Sequence, residues 1–293
     1  MIESAKFTNV LGNSIDFNDQ FVPFNEFTTE VDMRFNEKTK SQEHGIYPGM
    51  TWLGKRLFHC SGDILENTSA DYWTRRRKFI RACLPRPHLG YTQVGTLTIR
   101  FTGYNEDLTS ECTIDGWPEM PLAALSPSAG KYQVNFKAFD PRLYGAWYSV
   151  DLPFGATENV GGRTYNKTYN KIYDVAVGGN DTVISNTGDI ETYPVVTFYG
   201  PCTSPRLVLF RGDGKIKYFV LNGLTISSAT DYVTVDFGKH TAILNGSGNV
   251  YNYAIGSDWW ALEPQLTNTI RYVADSGTTA SHCNVMFRNA YMI

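Results

Sequence analysis

The chain has 293 residues, of which 42% are hydrophobic, 14% aromatic and 19% charged, with a formal net charge of −3. The hydrophobic share excludes wholesale disorder, and the near-neutral charge gives no indication of a broad nucleic-acid-binding surface. No apolar run approaches the roughly 18 residues of a membrane span, and the N-terminus lacks a secretory signal pattern, so we expect synthesis in a cytoplasm.

The first half of the chain predicts short strands around one helix. Alternating or strand-like runs occur at Ser14–Phe17, Phe21–Phe24, Trp52–Ser61, Thr96–Phe101 and Tyr132–Phe139, and the stretch 37–49 is expected to be a polar loop. The helix is expected over 69–84, with Ser69 as its N-cap and Asp71 in the first turn. Its expected buried face consists of Tyr72, Trp73, Phe79, Ile80 and Cys83.

The second half predicts strands only. Turn pairs such as Asn222-Gly223 and Asn245-Gly246 separate the runs, and such pairs supply the positive φ of tight hairpins. The expected strands are Lys171–Val177, Tyr193–Tyr199, Arg206–Phe210, Lys215–Leu221, Leu224–Ser227, Tyr232–Phe237, Val250–Ile255, Asn268–Val273 and His282–Met292.

These patterns predict a mainly β protein with two domains. The segment Asp151–Gly162 is rich in turn-forming residues and is interpreted as the linker between them. We expect an N-terminal β-sandwich-like domain with one helix at residues 1–152. A C-terminal β-sandwich of the jelly-roll type is expected at residues 153–293.

The sharpest charge feature is a basic cluster on the predicted helix, made of Arg75, Arg76, Arg77, Lys78 and Arg81. Residues 54–100 carry nine Lys or Arg against three Asp or Glu, whereas residues 1–53 carry eight acids against four bases. Three interpretations remain open: a solvated helix face, a patch that meets an acidic neighbouring subunit, or a channel surface facing nucleic acid.

No pattern in the sequence predicts a catalytic, cofactor-binding or metal site. The five cysteines are dispersed without a CxxC pair, so buried free thiols are expected. Acidic candidates for glycoside hydrolysis are Glu106, Asp107, Asp189, Glu191 and Asp258. The pair Trp259 and Trp260 is interpreted as core packing or as a glycan-stacking platform.

A series of short motifs in the second half resembles a known family. The series runs through Asn186-Thr187-Gly188-Asp189, Leu221-Asn222-Gly223, Ser257–Pro264, Asn268-Thr269-Ile270 and Met286–Tyr291. Their order resembles the C-terminal domain of siphophage distal tail (Dit) proteins and related phage tail proteins. The family usually shows Pro-Gly-x-Asn where this chain has Pro264-Gln265-Leu266-Thr267-Asn268. In the first half, the basic helix and the segment Phe136–Gly145 look similar to that family's N-terminal domain.

The resemblance implies a structural protein of the phage tail. It implies a hexameric ring that joins the tail tube to the tail tip or baseplate, formed by the N-terminal domain around a channel through which DNA passes. The C-terminal domain would be a galectin-like jelly roll that docks tail-tip, baseplate hub or receptor-binding proteins. No enzyme activity, cofactor or membrane partner is implied, and the location is the virion.

Two alternatives remain open at this point. One is another minor tail or baseplate hub subunit, and the other is a carbohydrate-binding module that contacts the host surface. A binding module predicts an exposed Trp259 or Trp260, whereas a structural jelly roll predicts that both are buried.

Overall fold

A computed structural model describes residues 2–35, 38–39, 46–47, 51–84, 94–121, 127–154 and 181–293. The chain divides into two compact units. Unit 1 comprises Met1–Ala146 with Met292–Ile293, and unit 2 comprises Trp147–Tyr291. The division lies a few residues before the boundary predicted at 152/153, because the strand Leu143–Pro153 starts in unit 1 and ends in unit 2.

Antiparallel strands form the main sheet of unit 1. These strands are β1 (Ile2–Thr8), β2 (Ser14–Asp16), β3 (Phe24–Phe35), β6 (Thr51–Leu65), β7 (Gly95–Phe101), β8 (Leu108–Ile114), β9 (Ala129–Ala138) and the start of β10 (Leu143–Pro153). The order is β2-β1-β7-β8-β9-β6-β3, and the start of β10 pairs with β8. Within the stretch predicted to be a loop, β4 (Lys38–Thr39) pairs with β5 (Ile46–Tyr47).

The core of unit 1 is aromatic. Phe7 of β1 lies 4.9 Å from Phe136 of β9, measured between ring centroids, although β7 and β8 separate these strands in the sheet. The sheet therefore curves around its core. Helix α1 (Ser69–Cys83) closes this core, because Phe79 packs 5.0 Å from Tyr132 of β9 and 6.3 Å from Phe17.

The N-cap of helix α1 lies one residue before the predicted cap. Thr68, not Ser69, is the N-cap: its backbone is extended and its hydroxyl accepts a hydrogen bond from the Asp71 N–H at 3.2 Å. The buried residues are Tyr72, Phe79, Ala82 and Cys83. The prediction for Trp73 is wrong: Trp73 is 45% exposed, because the core-facing stripe runs through Tyr72 and Phe79 and the next residue points away from it.

The cap gives a testable prediction for Thr68→Ala. The substitution leaves an N–H of the first turn without its partner, so we expect a loss of about 1 kcal/mol in the free energy of unfolding. Urea unfolding of the variant measures this loss. Thr74→Ala, which removes only a hydroxyl bond to the Ala70 carbonyl within the helix, is the matched control and should change the free energy by less than about 0.5 kcal/mol.

Unit 2 is a β-sandwich. Its strands are the end of β10, β11 (Thr182–Ser185), β12 (Val195–Tyr199), β13 (Cys202–Thr203), β14 (Arg206–Arg211), β15 (Ile216–Val220), β16 (Thr225–Ile226), β17 (Tyr232–Asp236), β18 (Thr241–Leu244), β19 (Gly248–Asn249), β20 (Thr267–Val273), β21 (Ser276–Gly277) and β22 (His282–Tyr291). One sheet has the order β19-β18-β17-β12-β22-β10, the second β11-β20-β14-β15, and a small sheet β16-β13-β21.

Alternating apolar residues of the two larger sheets fill the core of unit 2. Phe198 of β12 and Phe219 of β15 are fully buried, and their rings lie 6.4 Å apart in a nearly parallel arrangement. The remaining buried positions follow the same two-residue period that predicts half-buried strands. The predicted mainly β class, with sandwich sheets and one helix within the described residues, is confirmed.

Three predicted segments differ from the structure or lie outside the described residues. Val250–Ile255 is not a strand, because Tyr251–Ala254 forms a 3₁₀ turn. The predicted linker is strand through Pro153, and its part at 155–162 lies outside the described residues, as does the predicted strand Lys171–Val177. The Asn222-Gly223 and Asn245-Gly246 turns have positive φ at glycine, as predicted.

Candidate functional site

Three of the family-like motifs, Asn186–Asp189, Ser257–Pro264 and Met286–Tyr291, meet in space around Asn186. This side chain is fully buried, and its amide donates to the carbonyls of Ile190 and Leu262 at 2.7 and 3.0 Å. Its Oδ1 accepts from the Gly188 N–H at 3.0 Å. One asparagine therefore joins the turn that follows it to the segment that ends in Pro264, which forms a bridge with Asn186.

The closing motif packs against the same turn. Asn289 Oδ1 accepts from the Thr187 N–H at 3.1 Å, and the Ala290 carbonyl accepts from the Asp189 N–H at 2.8 Å. A Cβ on Gly188 would lie 1.9 Å from the Ala290 oxygen, so only glycine allows this approach. These motifs therefore hold unit 2 together rather than form an open binding site.

The departure from Pro-Gly-x-Asn is accommodated without glycine. Gln265 follows Pro264 and has a φ of +57°, the left-handed conformation that glycine adopts most easily. Its N–H donates to the Asn186 carbonyl at 3.0 Å. The loop therefore keeps the left-handed residue after the proline although the glycine has been replaced.

The five basic residues predicted as an interface separate into two groups. Arg75 is used within its own subunit, where it pairs with Glu66 and, at 2.7 Å, with Asp19. Arg76 donates to the Tyr72 hydroxyl at 3.1 Å and lies 5.5 Å from the Trp73 ring centroid. The three exposed residues are Arg77, Lys78 and Arg81, and none of them forms an ion pair within the described part of the chain.

Three of the eight acids in residues 1–53 lie on β3. Glu26, Glu30 and Asp32 are exposed and share the parity of one strand face. Met33 and, on β6, Trp52 are exposed by 54% and 49% near the same end. A count of charges does not reveal this face, whereas the even spacing of its carboxylates in the sequence is the signal that predicts it.

The two candidate glycan-stacking tryptophans differ in exposure. Trp260 is 4% exposed and packs 4.5 Å from Phe237, so it belongs to the core. Trp259 is half-buried and stacks with His240 at 4.8 Å and Tyr251 at 5.9 Å. A short ladder of three rings therefore reaches the surface of unit 2 at this point.

Two of the candidate acidic residues, Asp258 and Asp107, have structural partners. Asp258 accepts from the Tyr218 N–H at 3.1 Å and lies 3.4 Å from Lys217 Nζ. Asp107 pairs with Arg100 at 2.7 Å. Within the described residues no group of three or more His, Cys, Asp or Glu side chains is placed to hold a metal ion, and no helix there is long and apolar enough to span a membrane.

All five cysteines are buried free thiols, as predicted. Burial raises the pKa of Cys60, Cys83 and Cys112 to about 12. Because the thiolate is the reactive form, these side chains are inert at neutral pH.

The raised thiol pKa values predict the pH dependence of stability. Below the unfolded-state pKa of about 8.5 the thiols are protonated in both the folded and the unfolded chain, so they cause no change of stability with pH. Above it the unfolded chain loses these protons while the folded chain keeps them, so the urea midpoint should fall from pH 8 to pH 10. A thiol reagent at pH 8 should label the native chain far more slowly than the urea-unfolded chain. Rapid native labelling would contradict this burial.

Taken together, the strands and the buried motif cluster define a β protein of two compact units, the second a β-sandwich. Residues 187–291 match the SPP1 Dit family, described as siphovirus-type tail component, C-terminal domain. This part of the chain matches that family's model, and the predicted resemblance to siphophage distal tail proteins is confirmed.

Solved structures extend the similarity over the whole fold. The SPP1 Dit protein, described as a paradigm of the hub adsorption apparatus in phages that infect Gram-positive bacteria, is 15% identical with a TM-score of 0.64, over 98% of each chain. A chain of the phage P2 baseplate in its activated conformation with Ca is 10% identical with a TM-score of 0.49, over 98% of each chain. No curated protein sequence matches the chain significantly.

Proposed function

We propose that the protein is a distal tail protein that forms a hexameric ring between the tail tube and the tail tip or baseplate. Unit 1 builds the ring around the channel through which DNA passes transiently. Unit 2 points outward and docks baseplate hub and receptor-binding proteins. The protein is made in the host cytoplasm and functions in the virion without enzyme activity.

The observation that carries this proposal is the family match of residues 187–291, supported by the buried cluster around Asn186. The similarity to SPP1 Dit over 98% of each chain supports a comparable fold in the first half. A ring of identical subunits needs two different complementary surfaces on each subunit, which the charge distribution of unit 1 can supply.

We assign the docking role of unit 2 to the outer face of its four-stranded sheet. Ile216, Tyr218 and Val183 are 47%, 50% and 62% exposed there. Arg271 lies over the Phe210 ring at 5.0 Å on the same face. Exposed Tyr, Ile and Phe beside Arg are the residue types that dominate protein–protein interfaces, and the partner is a protein of the tail tip or baseplate.

Electron microscopy of the purified full-length protein tests the proposal. Closed rings with sixfold symmetry are the expected result. A uniform population of single subunits over a wide concentration range would overturn it, and rings of another symmetry would favour a different tail or baseplate hub subunit.

The competing proposal is a carbohydrate-binding module, and the ladder formed by His240, Trp259 and Tyr251 is the observation that favours it. Saturable quenching of tryptophan fluorescence by soluble cell-wall polysaccharide would support it if Trp259→Phe abolished the quenching. Absence of quenching would leave the ladder as packing against Phe219 and Phe237, whose rings it meets edge-on.

A further inference from the structure

Helix α1 presents a mixed aromatic and basic surface to solvent. Trp73, Arg77 and Arg81 are four residues apart in succession and therefore form one stripe along the helix. All three are exposed, and Lys78 extends the stripe on one side. Since Asp71 is the acidic residue of the first turn and lies beyond this stripe, the surface is positive along about 12 Å of helix.

Strand β3 presents a face of mostly opposite charge, on which the exposed acids Glu26, Glu30 and Asp32 outnumber the one exposed base, Arg34. Glu26, Glu30 and Asp32 span about 20 Å along one face, and the Glu30 side chain is 65% exposed. All three side chains are exposed, and β3 is an edge strand that pairs with β6 alone within the described residues. Trp52 of β6 pairs with Arg34 of β3 and adds exposed apolar surface to this face at the end where Asp32 lies.

We propose that neighbouring subunits of the ring associate through these two faces, with the basic face of α1 on one copy against the acidic face of β3 on the next. This inference rests on the proposed ring and names its interface. The occupant of each face is a second copy of the chain, because each face supplies the charge that the other lacks. Two different faces also make a head-to-tail contact, the type that closes into a ring.

The apolar residues give this contact affinity and the charges give it direction. Trp73, with Arg76 stacked beside it, has the composition of an interface hot spot, and Trp52 offers apolar surface on the acidic face. Complementary charges accelerate encounter and reject the wrong orientation, since basic faces repel each other. Added salt should therefore lower the rate of ring assembly at concentrations that still allow rings to form.

Charge exchange between the two faces is the test. The α1 variant carries Arg77→Glu, Lys78→Glu and Arg81→Glu, and the β3 variant carries Glu26→Lys, Glu30→Lys and Asp32→Lys. Arg75 stays unchanged, because it pairs with Asp19 and Glu66 inside the subunit. The control variant reverses Lys6, Lys215 and Lys239, which are exposed lysines elsewhere, and changes the net charge equally to the α1 variant.

Each single-face variant should run as one subunit in size-exclusion chromatography with light scattering, at concentrations where the wild type and the control form rings. Half-assembly should need at least about 100-fold more protein. The chain that combines both sets of changes, or a mixture of the two variants, should form rings again. Far-UV circular dichroism should be the same for all chains.

The outcomes separate this inference from the proposed function. Rings formed by the α1 variant would overturn the interface and leave the ring. Both single-face variants could lose rings while the chain that combines both sets of changes also fails to form them. That result would overturn the proposed interface too, because the two faces would then not meet. Wild-type protein that never forms a ring would overturn the proposed function itself.

Discussion

Replacing Gly188 with alanine is expected to destabilise unit 2 by more than about 3 kcal/mol. The new Cβ would lie 1.9 Å from the Ala290 oxygen, and the nearest atoms are all backbone, which cannot swing aside. Relief would require β22 to move away from the turn and break the Asp189–Ala290 hydrogen bond of 2.8 Å. The same movement would pull Asn289 from the Thr187 N–H.

Urea unfolding followed by tryptophan fluorescence measures this loss, and hydrogen exchange assigns it to unit 2. Gly238→Ala is the matched control, because the nearest atom to its new Cβ would be a Tyr193 side-chain carbon at the ordinary distance of 3.4 Å. We expect the control to change the free energy of unfolding by less than about 1 kcal/mol. A Gly188→Ala protein as stable as the control would contradict the packing described around Asn186.

The second large effect is expected at Arg56, a charged side chain that is only 1% exposed in unit 1. Its guanidinium donates to the Ile293 carbonyl at 2.8 Å and lies 6.0 Å from the centroid of Phe58. Burial lowers its pKa, and the nearby Asp140 carboxylate opposes that shift. Arg56→Ala should destabilise unit 1 by about 3 kcal/mol, because it empties a large buried volume.

Arg56→Met separates packing from charge. Methionine fills much of the same space without a buried charge, so we expect stability within about 1 kcal/mol of the wild type, or above it. Equal losses for the alanine and methionine variants would show that the hydrogen bond to Ile293, rather than the volume, stabilises this site. The measurement is urea unfolding of both variants in the full chain.

The sequence is sufficient to predict those elements whose own residues show which positions are buried and where the element begins and ends. Helix α1 was predictable because a cap, an apolar stripe and basic residues coincide within residues 69–84, and the error at Trp73 arose because two adjacent aromatics cannot both face one core. The motifs around Asn186 could be recognised from their order in the sequence. The physical reason for them could not, because it is the close approach of Gly188 to Ala290, which lie 102 residues apart in the chain.

Other features depend on tertiary context that no local pattern contains. Strand β3 escaped prediction because its exposed face carries Glu and Thr, residues that a polar loop also shows. Arg56 was counted with the surface charges although it shares the core-facing parity of Phe58 and Cys60 on β6. Val250–Ile255 has strand composition, but the turn forms instead, since Asn222 N–H bonds the Tyr253 carbonyl.

The most direct test of the central claim is the native mass of the full-length protein in solution. The account predicts a single species of about six times the 32.9 kDa subunit mass, which falls to one subunit when Arg77, Lys78 and Arg81 are reversed together. A wild-type chain that remains at one subunit mass at every concentration measured would contradict the proposed ring.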